Sequence, residues 1–204
     1  GALLTTQIAA LSHTNLAALA DTQIATLSAA QVQAISTAGI ANLTETQVGA
    51  LTTTQVAAMS TQQVRAFTNA NLSALAADQV GAMTSTQVAA LTVTQLNSLN
   101  AGDIGEFSAG QIAALTTAQV AGLTETNIND LSETQVGAMT ATQIASITAA
   151  NTHALADTQV AALSSGQVAA MTTTQIAGLT NGAVAAFDAT QFGALTTTQV
   201  KALT

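Results

Sequence analysis

Two histidines and ten carboxylates are the side chains of this 204-residue chain best equipped to bind a metal ion or move a proton. His13 and His153 stand far apart in sequence at variable positions, and they read as exposed side chains rather than as ligands or general bases. The densest acidic stretch, "TETNINDLSET" at 124–134, gathers Glu125, Asp130 and Glu133 with Asn127 and Asn129. Oxygen ligands in that number suit Ca²⁺, but the dense alternation of a calcium loop is missing. Asp103 and Glu106 in "NAGDIGEF" are a sparser version of the same arrangement. Serines and threonines abound without a nucleophile elbow or a Ser/His/Asp grouping. The glycines are scattered and form no phosphate cradle, and the absence of cysteine removes disulfides and thiolate metal sites. No catalytic, cofactor-binding or metal residue is assigned on these grounds. The chain is expected to carry no cofactor, to take no small-molecule substrate and not to be an enzyme.

Charge narrows the partners. The net charge is −8 and Arg65 and Lys201 are the two cations. Phosphate backbones are held by clustered Lys and Arg, so nucleic acid is not an expected partner. Anionic membrane surfaces are disfavoured for the same reason. Apolar residues make up 49% of the chain, yet Thr and Gln interrupt every apolar run. A spanning helix needs roughly 18 uninterrupted apolar residues, so no membrane insertion is expected.

What the chain does possess is a repeat. From Leu3 onward a large apolar residue recurs every eight positions, through Leu51, Met59 and Phe67 to Leu195 and Leu203, without a shift of frame. Counting that residue as position one, position six is equally apolar, from Ile8 to Val200, with Thr152 as its exception. Position two is Ser, Thr, Asn or Asp except at Leu4, Ala20, Ala76 and Ala156. Position five is Gln or Asn except at Gly39, Asp103 and Ala183. Position eight is mostly small, and positions three, four and seven vary most.

An eight-residue period does not suit one long helix, because the apolar stripe would rotate by about 80° per octad. A plain strand would send positions one and six to opposite faces. A β-solenoid could bring both inside by turning, but the Ala-rich positions seven and eight favour helix over strand. A third reading accounts for every position. Position two is a helix N-cap, and Ser/Thr-x-x-Gln is then a capping box. Positions one and six become the hydrophobic staple that flanks it. Asp21, Glu45, Glu125, Glu133 and Asp157 fall at the first helical residue, where the helix dipole favours an acid. The spacing thus predicts an all-α solenoid or superhelix of very short capped helices, one per octad, with a β-solenoid as the alternative. Leu and Val should line the interior, with Phe67, Phe107, Phe187 and Phe192 as core fillers. Thr, Ala and Gln should form the exterior. Residues 1–204 read as a single continuous array, a fragment of a longer array or a processed subunit.

The octad L-[ST]-x-x-Q-[VI]-x-[AG] resembles the Thr/Ala/Gln-rich repeat arrays of very large bacterial surface and secreted adhesin-like proteins, over the whole chain. That resemblance implies an extracellular or cell-surface location and a stalk, spacer, filament or matrix role. "LTTTQVAAL" also looks like the opening helix of the DNA-reading repeats of TAL effectors, but this chain has no second helix, no base-reading loop and an acidic balance; the likeness is one of capping. End-to-end or lateral self-association is an expected partner mode, since repeat arrays normally need polar caps. The alternative is a binding module that docks a regular Thr/Ala face on ice, a glycan or a protein. Its basis is the threonine row at position four: Thr6, Thr14, Thr22, Thr46, Thr54, Thr86 and Thr94.

Overall fold

Each octad opens a new helix in the computed structural model, which describes residues 3–99 and 101–203. Among the described residues there are 25 helices and no strand, so the fold is an all-α solenoid and the β-solenoid alternative fails. The chain divides into two compact units, residues 1–99 and 100–204. The same local rules build both.

The octad that begins at Met59 shows why each helix is short. Met59 (φ −60°, ψ 145°) and Ser60 (φ −71°, ψ 157°) are both extended, and the helix Thr61–Ala66 follows. Two consecutive extended residues turn the chain; no described residue has a positive φ. Side chains enforce the break. The Gln63 N–H donates to Ser60 Oγ at 3.2 Å, and the Ser60 N–H donates to Gln63 Oε1 at 2.9 Å. The cap N–H is thereby held by a side chain and withheld from the helix before it. At Leu4, Ala20, Ala76 and Ala156, where position two lacks an oxygen, the Gln half of the box persists alone. The acids Asp21, Glu45, Glu125, Glu133 and Asp157 each begin a helix, as the spacing predicts.

Helices of four to six residues do not hold themselves in water. Stability comes from stacking the coil. Helices three apart in the chain pack together: Ala29–Gln33 on Thr53–Ala58 in the first unit, Ala109–Ala113 on Glu133–Ala138 in the second. Position six forms the innermost row, with Val32, Val56 and Val88 fully buried in the first unit and Val120, Ile144 and Val168 in the second. Position one seals the same core, as at Leu51, Met59 and Leu131. Thr152 takes the apolar place at full burial by donating its hydroxyl to the Thr148 carbonyl at 3.0 Å.

Two expectations fail. Beyond the first coil the position-five Gln is not part of the exterior: Gln47 is 1% exposed and Gln63 3%. The polarity of the side chain suggests a surface place, but its amide is fully employed inside the wall. Phe192 is not a core filler either. Phe67 and Phe107 are buried, whereas Phe192 lies 49% exposed on the last coil of the second unit, where no further turn covers it among the described residues.

Candidate functional site

The candidate chemistry disperses when it is placed on the coil. His13 begins the helix His13–Ala17 and is exposed. His153 closes the short helix Ala149–Thr152, and its Nε2 lies 3.2 Å from Glu125 Oε1. Glu125 and His153 are 28 residues apart in sequence and meet across adjacent turns. Both side chains are more than half exposed, so the pair contributes at most about 1 kcal/mol.

In the stretch 124–134, Glu125 and Glu133 start successive helices and are exposed, whereas Asn127 is buried in the coil wall. Its Oδ1 accepts from the Thr124 hydroxyl at 2.6 Å and the Thr124 N–H at 3.3 Å. That commits Asn127 to the position-five role and takes it away from the acids. Asp130 sits half-buried at position eight, with Oδ2 lacking a hydrogen-bond partner. Asp103 and Glu106 are half-buried on and just beyond the helix Ala101–Gly105. No three His, Asp or Glu side chains come together as a metal site among the described residues.

An open groove in the second unit is lined by Glu125, Asn129, His153, Asp157 and Thr180. Thr180 Oγ1 donates to Asp157 Oδ1 at 3.2 Å. The Asp157 carboxylate lies over Gly182, where a Cβ would come within 2.3 Å of it. The groove's polar groups therefore meet across neighbouring turns of the coil, and no nucleophile is paired with a base there.

The feature that sequence reasoning missed is the second half of the Gln side chain. Each short helix leaves carbonyls at its end without helical partners. The Gln Nε2 from a later turn supplies the missing donors. Gln63 Nε2 donates to Val32 O and Ile35 O, both at 2.8 Å, and more weakly to Gln33 O at 3.3 Å. Gln47, Gln55 and Gln87 do the same in the first unit, and Gln143, Gln159 and Gln191 in the second. The partners always lie 28 to 31 residues earlier, so one turn of the coil takes roughly three and a half octads. Each of these Gln side chains is thus a rivet: Oε1 starts its own helix and Nε2 closes the end of a helix one turn back.

The rivet row runs out at both ends of the chain. On the first coil Gln7, Asn15 and Gln23 are exposed, and their side-chain N–H groups have no carbonyl partner among the described residues. Leu3 and Leu4 lie beside them, 42% and 65% exposed. On the last coil Phe192 and Val200 are 49% and 40% exposed, and a groove lined by Leu179, Val184 and Leu203 opens. The position-four threonines, Thr6, Thr14, Thr22, Thr46, Thr54, Thr86 and Thr94, are all exposed.

Among the described residues no helix is long and apolar enough to cross a membrane. No curated protein matches the chain. The profile of the ALTTAQ repeat matches it four times, over residues 29–61, 56–93, 96–133 and 168–204. These matches cover well over half of the sequence: the chain belongs to the ALTTAQ repeat family.

Proposed function

We propose that this array is a structural spacer or stalk on the bacterial cell surface or in the extracellular matrix, and not an enzyme. The observation that carries the reading is where the polar chemistry goes. The buried amides bind the coil's own carbonyls, turn after turn, and the buried apolar rows pack on their own copies. A wall that spends its side chains on self-pairing has length as its adjustable property, since each added octad finds the same neighbours. The extracellular assignment rests on the likeness to giant bacterial surface arrays. Small-angle scattering of the dilute monomer tests the spacer, with a maximum dimension several times the cross-section as the expected result. A compact particle with an axial ratio near one would remove it. Antibody labelling of intact cells tests the location, and signal that appears only after permeabilisation would refute it.

The exposure of the position-four threonines favours a second reading, a face that docks on ice, a glycan or another protein. Ice-recrystallisation and polysaccharide pull-down assays decide it: loss of activity on Thr→Val replacement along the row supports it, and no activity in the parent chain disposes of it.

A further inference from the structure

We propose that the open groove of the second unit is a docking site for a basic segment of another protein, and that arginine is the side chain it takes. The inference goes beyond the spacer reading, since it gives the array a place at which a partner is held.

The groove is a gap in the self-pairing wall. Glu125, Asn129, His153, Leu155, Asp157 and Thr180 line it, and its volume is about 730 Å³. An adjoining hollow shares Asn129 and Ala156 with it and adds Glu133. Behind the groove the helix Glu125–Asp130 packs on Ala149–Thr152, and Asp157–Ala161 packs on Asn181–Ala185. The octads that line it depart from the repeat. Ala156 brings no cap oxygen, and Ala183 stands where a rivet is due. A position-five Gln gives its amide to the carbonyl 28 residues earlier, as Gln159 does to Leu131 O and Gln191 to Leu163 O. For position 183 that carbonyl belongs to Leu155. It receives no hydrogen bond among the described residues, although Leu155 is 2% exposed. A carbonyl left unpaired in a buried residue costs free energy until a donor arrives. Sequences break their own local rules chiefly where function asks for it.

The chemistry on offer is acceptors and negative charge. Glu125, Glu133 and Asp157 are exposed, and no Lys or Arg lines either hollow. Asp157 accepts the Thr180 hydroxyl through Oδ1, and Glu125 meets His153 in contact with solvent. A metal ion is not the match, because no three His, Asp or Glu side chains converge among the described residues. A guanidinium is. Its five N–H donors fan out in a plane and serve carboxylates and a carbonyl set apart along a groove. An ammonium gathers its charge at one point and reaches fewer of them.

Titration of the full chain with an end-blocked arginine hexapeptide, followed by NMR, tests this. The Asn129 side-chain amide and the backbone amides of His153, Asp157 and Thr180 should shift. Glu125→Gln combined with Asp157→Asn should weaken binding by at least roughly tenfold. Asp21→Asn combined with Glu45→Gln removes the same charge from exposed places in the first unit. That control should hold the affinity within about twofold. Ala183→Gln restores the rivet, so it should raise the thermal midpoint and weaken the peptide together, which a merely disturbed fold does not do. A lysine hexapeptide should bind less tightly than the arginine one. Absence of shifts overturns the inference, and so do equal losses in the two charge variants, which would mean unspecific attraction. Lysine binding as tight as arginine binding overturns the assignment of the side chain. Ca²⁺ alone moving these resonances while the arginine peptide leaves them still would make the groove an ion site and overturn it too. None of these results touches the spacer reading, which dilute-monomer scattering tests by itself.

Discussion

Gln63 and Val32 are 31 residues apart in sequence and joined by a 2.8 Å hydrogen bond from a side-chain amide to a backbone carbonyl. The same side chain accepts the Ser60 N–H, so one residue both starts a helix and ties two turns of the coil. Buried polar groups hold a structure well only when every member is satisfied, and here both ends of the amide are used.

Changing Gln63 separates those roles. Gln63→Met leaves the Ser60 N–H and the Ile35 carbonyl without partners, while the Val32 carbonyl keeps the Ile35 N–H at 3.1 Å, and is expected to cost about 2 kcal/mol. Gln63→Glu keeps the acceptor but turns an oxygen toward the carbonyls of Val32 and Ile35. Burial and those oxygens raise the new carboxyl's folded pKa above its unfolded value of about 4.3. Its penalty is therefore absent below that unfolded value and grows as the pH rises through it toward the folded value. Urea unfolding of parent and variants at acid and neutral pH checks this. The Gln63→Glu protein should lie near the parent in acid and below the Gln63→Met protein at neutrality. A pH-independent difference from the parent would show that the amide does not face the carbonyls.

Asn71 is a shortened rivet. Its Nδ2 reaches Leu43 O at 3.0 Å, but its oxygen does not take the Thr68 N–H. Asn71→Gln adds the methylene that both bonds need and is expected to stabilise the first unit by about 1 kcal/mol. A fall in the urea midpoint would mean that the coil has closed around the shorter side chain.

Ala156 is exposed at an N-cap with half a box: its N–H donates to Gln159 Oε1 at 2.8 Å, and no hydroxyl answers the Gln159 N–H. Ala156→Ser supplies one, with an expected gain of about 1 kcal/mol. The thermal midpoint of the variant should rise; an unchanged midpoint would place the cap's contribution below detection.

The salt bridge between Glu125 and His153 gives the opposite expectation. Both partners are largely in solvent, so Glu125→Gln should move stability by less than about 1 kcal/mol. A larger loss in the same unfolding assay would assign the groove a structural weight that its exposure does not suggest.

The sequence shows what is local and hides what is not. The capping box and the staple span three and five residues, so Ser60, Gln63, Met59 and Val64 declare a helix start by spacing alone. The first helical acids follow from the same frame. The rivet between Gln63 and Val32 spans 31 residues, and no local rule fixes that distance. With every octad alike, any octad pairs on paper with any other, and the turn length emerges only from packing helices three apart. The burial of Gln47 was hidden for a related reason: polarity marks a side chain for the surface unless its partner is known. The dispersal of Glu125, Asp130 and Glu133 follows from the coil as well: Glu125 and Glu133 share position three on successive helices and are exposed, whereas Asp130 sits half-buried at position eight.

The most direct test of the riveted coil is hydrogen exchange at the Gln side-chain amides, read residue by residue by NMR. Amides bound to carbonyls inside the wall should exchange slowly, as for Gln55, Gln63, Gln87, Gln159 and Gln191. Those of Gln7 and Gln23 on the first coil of the dilute monomer should exchange as fast as in an unfolded chain. Uniformly fast exchange across all of these side chains would contradict the account, because no amide would then be tying one turn to the next.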